Sequence, residues 1–123
     1  MVASPKAKAQ GYPRSARLSG RSAIRAVFST GRHHRLGILH AKSLPTNLGD
    51  ARFLISVKKS IGTAPARNRI KRLVREALRR HRHLLRRPHD VCLFLPGAPR
   101  QALTLDRANA EILKLLEQLD ATR

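Results

Sequence analysis

Residues 64–85, APARNRIKRLVREALRRHRHLL, can bury only one of their sides, and that restricts what the rest of the chain can be. Ile70, Leu73, Val74, Ala77, Leu78, Leu84 and Leu85 recur at the i, i+3, i+4, i+7 spacing of one buried helical face. At about 100° per residue, Asn68, Lys71, Arg72, Arg75, Arg79 and Arg82 collect on the adjoining face. Pro65 sits just ahead of the helix, where a missing N–H and a fixed φ cost least. A merely solvated face usually mixes its signs so that i,i+4 pairs form. Here Glu76 alone interrupts the cations. Like charges crowded in this way repel, so the pattern predicts a polyanion whose phosphates supply the missing counter-charge.

The charge of the whole chain follows the same division. The 123 residues carry a net charge of +19, enough chain for one domain with a modest core. Residues 1–87 hold 22 Lys and Arg against two acids, while residues 88–123 hold four against five. With no Trp, one Tyr and three Phe, the core must be aliphatic. No apolar run approaches the roughly 18 residues a membrane span needs, and the basic helix carries Arg around too much of its circumference to lie in a headgroup layer. A single cysteine, Cys92, excludes an internal disulfide and is expected to be a buried, reduced thiol. The N-terminal residues lack the apolar stretch of a signal peptide, which makes the cytoplasm the expected compartment.

Along the chain, residues 1–16 mix Pro, Gly, Ser, Lys and Ala without period and read as a flexible basic arm. Ile24, Val27 and Phe28 predict a short helix between Ser19 and Gly31, with Ser22 as its N-cap. Arg32-His33-His34-Arg35 reads as a polar entry to a strand over Leu36–Leu44, and residues 45–50 as a turn. Arg52–Lys59 is a second predicted strand, with Phe53, Ile55 and Val57 on one face. The basic helix is expected to end near Arg86-Arg87-Pro88. Val91–Leu95 is a short apolar strand covered on both faces, so Phe53 and Phe94 are both assigned to the core. A last helix spans Leu105–Leu119, with Ala108, Ile112, Leu115, Leu116 and Leu119 inward and Thr104 or Asp106 as cap. The order helix, strands, helix, strand, helix predicts an α/β (α+β) sandwich: a single domain over residues 17–123 with one central sheet.

Catalytic equipment is scarce. Seven acids, most of them in the neutral tail or at turns, make a paired-carboxylate or two-metal site improbable. His33, His34, His81 and His83 could serve acid–base cleavage of RNA, but they lie within runs of Arg, where phosphate contact is a sufficient role. There is no Cys/His set for zinc, no Walker A motif and no G-x-G-x-x-G. Few aromatic rings are available to stack bases; Phe28 could pack on the sheet or border a groove.

Arg67-Asn68-Arg69-Ile70-Lys71-Arg72-Leu73-Val74-Arg75-Glu76-Ala77 resembles the R-N-R-x-K-R-x-x-R motif of the bacterial ribonuclease P protein component. The upstream Lys58-Lys59 and Ile61-Gly62, Arg17-Leu18 followed by Val27-Phe28 and Gly31, and the Leu-rich last helix resemble the same family. The resemblance covers residues 17–119. It implies a sandwich in which the basic helix joins parallel strands by a left-handed crossover. It also implies a protein subunit of the ribonucleoprotein that removes 5′ leaders from precursor tRNA, with catalytic Mg2+ held mainly by the RNA subunit. The protein would bind ribonuclease P RNA and precursor tRNA, lower the magnesium requirement, and need no membrane or obligate protein partner. Carried over by position, Arg67, Asn68, Arg69, Lys71, Arg72, Arg75 and Arg79 would contact RNA. Ile24, Phe28, His40, Lys42, Lys58 and Lys59 would line a cleft for the single-stranded leader, with Ile24, His40 and Lys42 departing from the family's usual residues there. The alternatives are a ribosomal-protein-like structural module that binds RNA without a role in cleavage, and a protein-only ribonuclease using the histidines.

Overall fold

Three α-helices and four strands are formed by the described residues, 16–47, 49–85 and 87–121 of a computed structural model. They are α1 (Arg21–Thr30), β1 (Arg32–Arg35), β2 (His40–Pro45), β3 (Arg52–Ser56), α2 (Ala64–His81), β4 (His89–Phe94) and α3 (Leu105–Ala121). The strands form one mixed sheet in the order β1-β2-β4-β3, and α2 is the crossover between the parallel neighbours β3 and β4. The other two pairings are antiparallel. This is the α+β sandwich with one central sheet that the pattern of the chain predicts. Of the expected arm, residues 1–15 lie outside the described residues, and Ala16 is fully buried.

The sheet separates two apolar layers. On one face Ala41, Phe53, Val91 and Leu93 join Ile70, Val74, Ala77 and Leu78 of α2 and Ala108, Ile112, Leu115 and Leu119 of α3. On the other, Cys92 packs with Val27 of α1 and Leu18, flanked by Ile24, Leu44 and Leu54. Strand alternation makes this division, since successive side chains of β4 point to opposite faces. At roughly 25 cal/mol per Å² of apolar surface, the layer under α2 and α3 supplies most of the hydrophobic stabilisation.

Several local expectations change. The polar tetrad Arg32–Arg35 is itself a strand, paired Arg32↔Ser43 through Arg35↔His40, and His34 is buried. Leu36 and Leu39 close the connection between β1 and β2, so the predicted strand over Leu36–Leu44 begins only at His40. The N-cap of α1 is Gly20, which has a φ of 97° and no capping side chain, rather than Ser22. Pro65 lies inside the first turn of α2, and Thr63 is the cap, its hydroxyl accepting from the Ala66 amide at 3.3 Å. α2 ends at His81 and tightens into a 3₁₀ turn over Arg82–Leu84, leaving Leu84 49% exposed rather than in the core. Thr104 caps α3, accepting from the Arg107 amide.

Candidate nucleic-acid interface

The first surface is α2. Its apolar stripe lies on the sheet, which turns the adjoining cations outward. Asn68, Lys71, Arg72 and Arg75 have no protein partner among the described residues. Four other arginines of the helix do. Arg67 donates from Nε to the Gly62 carbonyl at 3.2 Å, and Arg69 from Nη1 to the Leu103 carbonyl at 3.0 Å. Arg79 and Arg80 both pair with Glu76, and these two guanidiniums hold its carboxyl down to about 2. The motif therefore divides into anchored and open cations. Arg75 also lines a pocket of about 240 Å³ with Arg17, Leu18, Ser19, Phe53, Leu54 and Ile55.

The second surface is the open end of the sheet beside α1. Register places Ser56, Phe94, His40 and Arg35 in one row across all four strands. Phe28, 37% exposed at the C-terminal end of α1, stands 6.1 Å from Phe94 between ring centroids. His33 and His40 approach the same ring at 5.9 and 5.8 Å. Phe94 is thus the centre of a partly exposed ring cluster and not a core residue. An even position in β4 puts it on the α1 side, at the end of that short helix, where it meets Phe28. His33 and Phe94 escape a reading of the sequence that treats residues 32–35 as a loop and 91–95 as uniformly buried. Period-2 alternation from Arg32 onward would reveal both.

Among the expected cleft residues, Phe28 and His40 meet in this cluster. Ile24 does not; it is half-buried against the apolar layer beneath α1. Lys42 donates its ammonium to the Phe28 carbonyl at 2.8 Å, tying α1 to β2. Lys58 and Lys59 are exposed just beyond the β3 end of the row. His34 points away, bonded to Gln118 and to Ser43 at 2.7 Å each, and burial holds it below the usual imidazole range. Its two ring nitrogens are committed, so it has no surface role.

Two inter-element supports fix the strands around the ring cluster. Asp90 takes both Nε and Nη2 of Arg52, at 2.8 and 2.7 Å, a forked pair that locks β3 to β4. Glu111 of α3, 3% exposed, accepts from the Ile38 and Leu39 amides at 3.0 and 2.7 Å and from Arg107 at 2.6 Å. It holds the turn that sets His40 beside His33. Gly37 sits in this turn with a φ of 143°, and a Cβ there would meet the Glu111 carboxylate at 2.6 Å. No group of three or more His, Cys, Asp or Glu among the described residues could hold a metal ion, and no helix among them is long and apolar enough to cross a membrane.

A cationic helix with unpaired charge on one face of a four-stranded sheet, and a partly exposed ring cluster on the other, define a small α+β RNA-binding subunit. Residues 12–120 match the family model for ribonuclease P. The ribonuclease P protein component of Chlorobaculum tepidum is 36% identical over 129 residues, covering 90% of this chain and 84% of its own. That of Dictyoglomus thermophilum is 29% identical over 113 residues, covering 91% and 94%. The ribonuclease P protein of Thermotoga maritima, solved in complex with 1-(4-fluorophenyl)-2-thiourea, superposes with a TM-score of 0.71 at 25% identity, covering 83% of this chain and 98% of that one. The chain belongs to the ribonuclease P protein family and is a subunit of that tRNA-processing endoribonuclease. Nothing in these comparisons favours a ribosomal-protein-like module.

Proposed function

We propose that the two surfaces divide the work of recognition. The open cations Lys71, Arg72 and Arg75, with the neutral amide of Asn68 among them, meet phosphates of the RNA subunit and of precursor tRNA. Arg67, Arg69 and Arg79 shape and charge the same face from anchored positions. The groove of Phe28, His33, His40 and Phe94, flanked by Lys42, Lys58 and Lys59, takes the single-stranded 5′ leader, with bases against the rings and phosphates against the amines. A leader is present in precursor and absent from product, so contacts there favour substrate by differential binding. The carboxylates of Glu76, Asp90 and Glu111 are engaged by arginines and amides; Mg2+ is assigned to the RNA, and no step is routed through a metal on this chain. Screening of phosphate by the open cations would lower the magnesium that RNA needs to approach RNA. The cytoplasm, where precursor tRNA is made, is the proposed place of action.

The observation that carries this reading is the coexistence of unpaired cations on α2 with an exposed ring cluster on the sheet of a family member. The test is cleavage of a precursor tRNA at low magnesium by the protein, by a bacterial ribonuclease P RNA, and by both. Correct 5′ cleavage confined to the mixture is expected. Cleavage by protein alone, surviving nuclease controls, would overturn it.

A further inference from the structure

Building on the leader reading of the groove, we propose that His33 and His40 form a proton-linked site for a leader phosphodiester, taking up one proton as the RNA seats. Precursor would then bind more tightly in mild acid, whereas mature tRNA, which has no leader to place there, would not.

The geometry is that of a paired base. His33 Nε2 and His40 Nδ1 are 2.9 Å apart across the β1–β2 pairing, with ring centroids at 5.0 Å. A hydrogen bond between two imidazoles needs one N–H and one lone pair. In the neutral pair, only one of the two outer ring nitrogens then carries a hydrogen. One added proton leaves the inner bond intact and gives both outer nitrogens an N–H, so the pair presents two donors and a positive charge. A second proton would break the inner bond, since both inner nitrogens would be donors. The pair is therefore suited to gain one proton.

The surroundings decide when it does so. Arg32 and Arg35 accompany His33 on β1, and Lys42 accompanies His40 on β2. Phe28 of α1 and Phe94 of β4 face the pair without charge. Glu111 of α3 is the acid that acts on His40, and His34 faces the opposite layer with its own partners. In the free protein, burial, His33 and Arg35 hold His40 below the ordinary imidazole range against the weaker pull of Glu111. An arriving phosphate reverses the sign of the local field and favours the charged pair. Its base can lie against Phe94 or Phe28, within one nucleotide's reach of the imidazoles. A group that is more protonated in the complex than in the free protein strengthens binding as pH falls.

The experiment uses the full chain assembled with a bacterial ribonuclease P RNA. Dissociation constants are measured for a non-cleavable precursor and for mature tRNA at pH 8 and pH 6, at constant ionic strength. Taking the ratio of the two cancels titration of the RNA subunit. With one linked proton the preference for precursor is expected to rise about tenfold from pH 8 to pH 6. The rise should vanish in the His33→Phe/His40→Phe double variant, which keeps rings in the groove. It should vanish also in His40→Gln, which keeps a hydrogen-bonding group but cannot take a proton. A wild-type preference that is the same at both pH values, or a rise that persists in both variants, would overturn the proton link while leaving the leader groove standing. A wild-type ratio near one at both pH values would overturn the leader reading itself, and this inference with it.

Discussion

Replacing Glu111 by alanine should be among the most damaging single changes in this protein, although the residue lies on α3, which carries none of the proposed RNA contacts. Its carboxylate accepts from two backbone amides of the β1–β2 turn and from Arg107. Arg107 is half exposed and returns to water at little cost. The Ile38 amide can also reach water, because that residue is only partly buried. Leu39 is fully buried, and its amide would be left without an acceptor. Bonds to a charged acceptor contribute about 1.5–3 kcal/mol each, and stranding a buried donor adds desolvation, so the loss should be about 3–5 kcal/mol. Glu111→Gln keeps the shape and one acceptor oxygen, but turns its NH2 toward the other amide; it should lose about half as much. Urea denaturation with linear extrapolation measures both without adding salt that would screen a chain of net charge +19. A loss under about 1 kcal/mol for Glu111→Ala would refute the idea that this carboxylate holds the hairpin. Because the turn sets His40 beside His33, the Gln variant should also lose more affinity for precursor than for mature tRNA.

The division of the α2 cations makes a second contrast. Arg72→Ala should cost about 1–3 kcal/mol of RNA affinity and reduce the salt slope by about one, with stability unchanged; Arg69→Ala should in addition lose about 1 kcal/mol of stability as the Leu103 carbonyl loses its donor. Filter binding and urea titrations of both variants would separate the two roles. Glu76 is held down to about 2 by Arg79 and Arg80, so its contribution to folding is complete above the ordinary 4.5 and is lost as pH falls toward 2. Thermal melts should show Glu76→Gln below wild type at pH 6 and converging with it near pH 2. Cys92, pushed up to about 11 by burial and by Asp90, should resist a disulfide reagent at pH 8 and react at once in denaturant.

How far the sequence can be read depends on how long each periodic signal runs. α3 offers five inward residues over four turns, and all of Ala108, Ile112, Leu115, Leu116 and Leu119 are buried. α2 offers almost as many, and its error is confined to the last turn, where the 3₁₀ geometry rotates Leu84 away from the sheet. β1 offers four residues, three of them charged or exposed, so no hydropathy pattern distinguishes it from a loop. What makes it a strand is its partner β2, a tertiary fact. The cations of α2 are visible in the sequence, but their division is not. Whether a guanidinium faces solvent or a carbonyl such as that of Leu103, 34 residues away, depends on which loop the fold brings alongside.

The adjacent histidines of β1 show how one pattern serves both stability and recognition. His33 and His34 are chemically identical and consecutive, yet strand alternation sends one to the groove and the other to the covered face. On the covered side His34 finds Ser43 and Gln118, and there a neutral ring with both nitrogens bonded satisfies the demand that buried polar groups be paired. On the open side His33 finds His40 and Phe94, and has a partner that can share an added proton. Leu93 and Phe94 of β4 repeat the arrangement, the first in the core and the second in the ring cluster. A register slip of one residue would exchange these roles at every position. It would bury Lys42 and His33 under the helices and expose Ala41 and Leu93 in the groove. The apolar side chains of β2 and β4 thus do more than stabilise the sheet. By opposing that slip they fix which imidazole, and which ring, stand on the open face.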